Sequence, residues 1–218
     1  MCKAERIRII SFDLTGTLVT EEFVDYFWLE LIPQLFAKRH SVNLDEAKRI
    51  VYSSYDEIGS QDIRWYTPQY WFERFDLGLD VSSALQMVKN KVVFYPDVED
   101  ALRLLSGRYE VVISSNLSRE FIDVILEVLK FRGFKAIFSC VSDLGLTTKT
   151  AEFYRFVSSK LGIPASDILH VGDDPEKDFE NPLKAGMRAI LVIRDENRMR
   201  GLTYPCIKSL NELQRLLD

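Results

Sequence analysis

Four polar clusters stand where apolar runs end, and their residue types suit one kind of chemistry. The first is Asp13-Leu14-Thr15-Gly16-Thr17, directly after a run containing Ile7, Ile9, Ile10 and Phe12. The second is Ser114-Ser115-Asn116, and the third runs from Asp143 through Thr147 and Thr148 to Lys149. The fourth is His170-Val171-Gly172-Asp173-Asp174, with Asp178 four residues further on. Alone, the Asp13 pentad reads equally well as a turn, because Asp and Gly both punctuate loops. Together, the clusters bring carboxylates, a hydroxyl–amide pair and one lysine, a set that fits around a phosphoryl group and a divalent cation. Carboxylate oxygens suit magnesium. Hydroxyls, backbone amides and an ammonium suit phosphate oxygens.

The elements that must position these clusters emerge from hydrophobic periodicity. Strands are predicted at Ile7–Phe12, Tyr109–Ser114, Phe134–Cys140, Ile168–Gly172 and Arg188–Ile193. Helices alternate with them: one after Pro96-Asp97, then Ser118–Phe131, Thr150–Leu161, Glu176–Ala185, and a last one opened by the capping box Ser209-Leu-Asn-Glu212. Alternation with strands this apolar predicts a doubly wound, Rossmann-like parallel sheet covered on both faces. Ligands of such sheets sit beyond the carboxyl ends of the strands, where all four clusters fall.

Residues 20–93 have a different character, helical in period and rich in aromatics. Glu21–Lys38 carries Phe23, Phe27, Leu31 and Leu35 at four-residue spacing, with a kink or break expected at Pro33. Asn43-Leu-Asp-Glu46 predicts a second helix start, Arg64–Phe75 a third helix, and Asp80 or Ser82 the cap of a fourth. The expected organisation is an α/β core of residues 1–19 and 94–218 with an inserted all-α cap of residues 20–93. Asp25, Tyr26, Arg64 and Trp65 are candidates to face a substrate from that cap. His40 reads as a loop or helix-end residue and His170 as a buried strand residue.

The 218 residues are 47% hydrophobic and 28% charged, enough for a substantial core, and the net charge is −5 without a basic block. Nucleic acid is therefore not an expected partner. Three scattered cysteines, Cys2, Cys140 and Cys206, read as free thiols of a reducing compartment. With no secretory pattern and no run of membrane-spanning length, the expectation is a cytoplasmic protein, monomeric or homodimeric, without membrane contact.

In this order the four clusters resemble the four signature motifs of the haloacid dehalogenase-like hydrolase superfamily, across essentially the whole chain. The insertion between the first two resembles that superfamily's helical-cap subclass. The resemblance implies a phosphatase acting on a small phosphorylated metabolite with Mg2+. Asp13 would be the nucleophile that forms an aspartyl-phosphate. Asp13, the backbone carbonyl of Thr15 and Asp173 would hold the metal, with Asp178 assisting there or holding Lys149, and Asp174 able to share either task. Ser115, rather than Ser114, would bind a phosphoryl oxygen with Asn116 beside it. Lys149 would neutralise charge on Asp13 and the phosphate, although many relatives follow this lysine with proline and Thr150 stands here.

One position departs from the family's phosphatases, which carry an acid/base aspartate where this chain has Thr15. A threonine hydroxyl titrates far above neutrality and cannot protonate a leaving alkoxide as a carboxylic acid does. Threonine there resembles the superfamily's transport ATPases, whose aspartyl-phosphate must persist; their membrane domains have no counterpart here, so pumping is not expected. The departure implies slow ester hydrolysis, or substrates such as acyl phosphates whose leaving groups need little protonation. A 2-haloacid dehalogenase is a rival reading, opposed by Thr15, where that group has tyrosine, and by Asp173, which it lacks. A phosphate- or partner-binding module with little turnover is another, with the aromatic insertion as its interface. A receiver-type signalling domain would not tolerate an insertion of this size after its aspartate.

Overall fold

The β-branched run at the head of the chain becomes β1 (Ile9–Phe12), fully buried in a six-stranded parallel sheet. The computed structural model describes residues 7–195 and 203–217, so Cys2 lies outside the described residues, whereas Cys140 and Cys206 are free thiols. The other strands are β2 (Glu110–Ser115), β3 (Phe134–Ser139), β4 (Ile168–Gly172), β5 (Arg188–Val192) and β6 (Cys206–Ile207). Their order, β3-β2-β1-β4-β5-β6, reverses the winding between β1 and β4. The ligand crevice of an open sheet falls at that reversal. Register sets Ser11 opposite His170 and Phe12 opposite Val171, and the Asp13 amide continues the ladder to the Val171 carbonyl at 2.9 Å.

Between β1 and β2 every described element is helical: α1 (Glu22–Tyr26), a π-turn (Phe27–Leu31), α2 (Ile32–His40), α3 (Leu44–Ile58), a 3₁₀ turn (Ile63–Tyr66), α4 (Pro68–Arg74) and α5 (Val81–Met87), with a further 3₁₀ turn at Lys89–Lys91. The expected break at Pro33 does not occur. The wider turn before it redirects the carbonyls that Pro33 could not serve. Two tyrosines of α3 take them up, Tyr55 donating to Trp28 O (3.2 Å) and Tyr52 to Leu29 O (2.6 Å). The predicted helix Arg64–Phe75 is instead split, because Pro68 pushes Thr67 into extended backbone. Asn43 and Asp80 do cap their helices, accepting from the Glu46 and Ser83 amides. The two stretches of chain that enter and leave this segment run side by side, with Thr20 N bonded to Val93 O and Tyr95 N to Leu18 O.

After the insertion come α6 (Val98–Ser106), α7 (Arg119–Val128), α8 (Cys140–Leu144), α9 (Ala151–Leu161), a π-turn (Pro175–Glu180) running into α10 (Asn181–Lys184), and α11 (Asn211–Leu217). Alternation along β1 divides the core. Ile10 and Phe12 share one buried cluster with Leu102, Phe121 and Leu213, whereas Ile9 shares a second with Phe153, Tyr154 and Val157. Aromatics of the insertion extend the first cluster: Phe23 and Phe27 meet Phe121 edge-on, with centroids 5.7 and 4.8 Å apart. Such pairs contribute about 0.5–1.5 kcal/mol each beyond their buried area. No helix among the described residues is long and apolar enough to cross a membrane.

Candidate active site

A buried chain of charges sits at the winding reversal. Asp13 follows β1 and is 6% exposed. Lys149, in the loop before α9, is 1% exposed and lies 2.7 Å from Asp13 Oδ1 and 2.5 Å from Asp178 Oδ1. One ammonium cannot fully compensate two buried carboxylates. Asp178 has more help: His170 Nε2 is 2.9 Å away and the Asp174 amide donates to its Oδ2 at 3.1 Å. Burial works against its ionisation, but Lys149 and His170 hold its carboxyl below the usual range. At Asp13 burial wins over Lys149, and with Asp178 and Asp173 nearby the carboxyl is pushed up to about 7. Burial opposes the charge on Lys149, yet its two carboxylates raise it above the ordinary lysine range.

Oxygen atoms of Asp13, Asp173 and Asp178 all lie within 4.8 Å of one another. Three hard anionic donors this close suit a divalent cation such as magnesium. The Thr15 carbonyl accepts no hydrogen bond among the described residues, and the Thr15 hydroxyl is buried without a partner. Two glycines make room for the cluster. A Cβ on Gly16, whose φ is +78°, would stand 2.6 Å from the Asp173 carboxyl carbon, and one on Gly172 would overlap Asp178. The residues present therefore fit a metal of this class.

Sequence reasoning did not find the supports of Asp178. Tyr154 Oη donates to Lys177 O at 2.8 Å and lies 3.3 Å from Asp178 Oδ1 and 3.0 Å from His170 Nε2. His170 Nδ1 is 3.0 Å from Ser11 Oγ, itself 2.8 Å from Ser114 Oγ. Burial lowers the His170 pKa, with Asp178 opposing, which favours the neutral ring. The available signal was three polar residues, Ser11, Ser114 and His170, inside strands that are otherwise apolar.

The other expected site residues have partners of their own. Ser115 ends β2 and accepts from the Leu117 amide at 3.1 Å. The Asn116 side chain is committed to protein partners, donating to Thr147 O (3.2 Å) and accepting from Cys140 Sγ (2.9 Å), and so ties the second cluster to the third. Asp174 caps the turn that begins at Pro175, accepting from the Glu176 and Lys177 amides. Asp143 receives Arg119 and the Ser139 amide, and Thr150 caps α9. His40 ends α2, with Nε2 2.7 Å from Phe75 O.

Beside this set lies a cavity of about 240 Å³, lined in part by Asp25, Trp28, Tyr55, Trp65 and Tyr66 from the insertion and by Asn116, Ser118 and Phe121 from the sheet side. Of the cap candidates, Asp25 and Trp65 line it. Tyr26 lies under the Lys91 ammonium (4.9 Å), and Arg64 is bound twice by Asp62.

Comparison with known proteins matches residues 7–186 to a hydrolase family model, haloacid dehalogenase-like hydrolase. A curated relative, GMP/IMP nucleotidase YrfG of Escherichia coli (strain K12), is 24% identical over 211 residues, 95% of this chain and 93% of that protein. Among solved structures, a HAD phosphatase from Thermococcus onnurineus superposes with a TM-score of 0.79 at 22% identity, covering 97% of this chain and 98% of that one. A 2-haloacid dehalogenase from Pseudomonas syringae pv. Tomato DC3000 gives 0.67 at 21% identity over 97% and 98%. At these identities the structural likenesses establish the fold.

Proposed function

The chain belongs to the haloacid dehalogenase-like hydrolase family, and we propose that it is a magnesium-dependent phosphatase of small phosphorylated metabolites, with nucleoside monophosphates as the favoured class. The observation that carries this reading is the buried Asp13–Lys149–Asp178 chain with Asp173 in reach. The curated relative's name, a GMP/IMP nucleotidase, supports the substrate class.

Asp13 attacks phosphorus and forms an aspartyl-phosphate, which water then opens. The attack needs the carboxylate; the ammonium of Lys149 opposes the burial that raises the Asp13 pKa and meets phosphoryl oxygens. Asp178, held by His170 and Tyr154, fixes Lys149 between the two carboxylates. Asp13, Asp173 and the Thr15 carbonyl would hold the magnesium ion, with Asp178 behind them, and the ion supplies charge neutralisation at the phosphoryl oxygens when bound. Ser115 and the amides leading into α7 bind the remaining oxygens. The helical segment 20–93 acts as a cap that excludes water and selects the leaving group. With Thr15 in the acid/base position, the leaving alkoxide departs without a carboxylic acid to protonate it, and turnover is slow.

The test is phosphate release from GMP, IMP, AMP and p-nitrophenyl phosphate with magnesium, with and without EDTA, for the native chain and Asp13→Asn. Release that EDTA and Asp13→Asn both abolish is expected, relatively faster on p-nitrophenyl phosphate than on alkyl esters. Halide release from 2-chloropropionate that survives EDTA would replace this reading with a dehalogenase. Phosphate binding without turnover on any ester would make the chain a binding module.

A further inference from the structure

The aromatic cavity has a chemistry that phosphoryl transfer does not use. Five rings border it, from Trp28, Tyr55, Trp65, Tyr66 and Phe121, yet it also holds an acid and a hydroxyl. Asp25, an exposed residue of its lining, makes no side-chain hydrogen bond or ion pair among the described residues; the cation Lys91 is taken by Glu22 and the Tyr26 ring. Ser118 stands at the N-cap position of α7 without making a cap bond, is 5% exposed, and has a buried hydroxyl with no partner. Partial burial, with Glu21 adding to it, pushes the Asp25 carboxyl above its ordinary range, as expected of an acid that lacks donors. The cavity adjoins the phosphoryl end through Asn116, which lines it and also bonds to the loop carrying Lys149.

Flat rings call for a flat guest, and a volume of about 240 Å³ holds one base rather than a long chain; pockets for drug-sized ligands run to roughly 300–1,000 Å³. An ionised carboxylate only accepts hydrogen bonds. Among the common bases, guanine presents two adjacent N–H donors, the ring N1–H and the 2-amino group, to both oxygens of one carboxylate. Hypoxanthine presents only N1–H. Adenine and cytosine pair each amino donor with a ring-nitrogen acceptor, which would face the second oxygen lone pair to lone pair.

We propose that this cavity seats the guanine base of a nucleotide, with Asp25 as its specificity-determining residue and Trp28 and Trp65 as stacking walls. The proposal rests on the phosphatase reading and adds which leaving group the enzyme selects. Fully formed bidentate base contacts discriminate by roughly 10- to 100-fold, so kcat/KM should fall in the order GMP, IMP, AMP.

The experiment measures kcat/KM for these nucleotides in the native chain and in Asp25→Asn, each normalised to p-nitrophenyl phosphate turnover by the same protein. Tryptophan fluorescence quenching by guanosine and adenosine accompanies it. The amide that replaces the carboxylate offers one donor and one acceptor, which matches adenine. The GMP-to-AMP ratio should therefore drop by roughly 10- to 100-fold in the variant. Guanosine should quench the native protein at lower concentration than adenosine. An unchanged GMP-to-AMP ratio in an active variant, or equal quenching by the two nucleosides, overturns the assignment of Asp25. Absence of phosphate release from every ester defeats the phosphatase reading instead, and the quenching comparison still decides the base site. If Asp25→Asn does not fold, the same comparison on the native protein decides it.

Discussion

The charged site at the strand ends and the aromatic cavity beside it are held by different physics. At the charged site each group is fixed by partners that themselves have partners: Asp13 by Lys149, Lys149 by Asp178, Asp178 by His170, Tyr154 and the Asp174 amide. Sheet register sets the spacing, and low dielectric makes any missing member expensive. In the cavity the walls are rings from separate helices, packed by area, and the hydroxyl of Ser118 is left without a partner. In the first arrangement the carboxylates and the lysine meet partners within the protein; on the base-site proposal, the second is completed by the substrate. Changes at the charged site should therefore cost stability and chemistry together. Changes in the cavity should move substrate preference alone.

The sharpest way to break that contrast is to remove the shared cation. Lys149→Met leaves Asp178 and Asp13 buried without their counter-charge, and deleting one member of such a pair costs about 3–5 kcal/mol. Urea denaturation should show a loss of that size along with loss of phosphate release. Trp65→Ala, in the cavity wall, should raise KM for GMP while changing kcat less. If the lysine variant keeps native stability, the charged site is not an interdependent unit.

Thr15 sharpens the same contrast from the chemical side. Its buried hydroxyl has no partner, and on the phosphatase reading Thr15 stands where an acid would reach the leaving group. General acid–base assistance is typically worth about 10²–10⁴-fold, so Thr15→Asp should raise kcat on GMP by about 10²-fold and raise it less on p-nitrophenyl phosphate, whose leaving group needs little protonation. An equal effect on both esters would place the slow step elsewhere.

The two regions also differ in how far they could be read from the chain. Asp13, Lys149, Asp173 and Asp178 stand after strands recognisable by their apolar runs, and in a parallel sheet strand ends converge. His170 and Tyr154 escaped because their role depends on which strand lies beside β1: only the register that sets Ser11 against His170 turns a buried histidine into a support for Asp178. Asp174 and Asp178 differ by one helical turn and read alike, yet one caps its own turn while the other is buried in the core. In the insertion, helix existence was legible from period and caps, but orientation was not. The π-turn at Phe27–Leu31 adds a residue to one turn and rotates the helix beyond it, and Pro68 divides two segments that periodicity joined. Asp25 and Trp65 could be named as cap candidates, whereas the placement of Tyr26 under Lys91 and the tie between Arg64 and Asp62 could not be foreseen.

A third network, at the seam where the chain enters and leaves the helical insertion, gives the smallest effect and the cleanest sign. The carboxylate of Asp97 accepts from Arg194 (2.7 Å), the Ser209 hydroxyl (2.6 Å) and the Leu210 amide (2.7 Å), so it holds the chain just before α11 and makes no cap bond to its own helix. Arg194 also donates to Thr17 O and covers the Tyr95 ring at 4.3 Å, joining the chain that enters the insertion to the chain that leaves it. Burial raises the Asp97 pKa, but these donors more than offset it and hold the carboxyl below its ordinary value. A carboxyl depressed on folding contributes stability above its unfolded pKa, about 4, and loses it as pH falls through the folded value. Asp97→Asn should cost about 1.5 kcal/mol at pH 7, the lower end of the range for hydrogen bonds to a charged group, discounted for solvent screening. At pH 3 the native chain is losing the same contribution, so the deficit should shrink. Urea curves at the two pH values measure it, and kcat on p-nitrophenyl phosphate should not change. A deficit that stays constant between pH 7 and pH 3 would mean that Asp97 acts through shape and not through its charge, and that the seam is held by packing, as the cavity is.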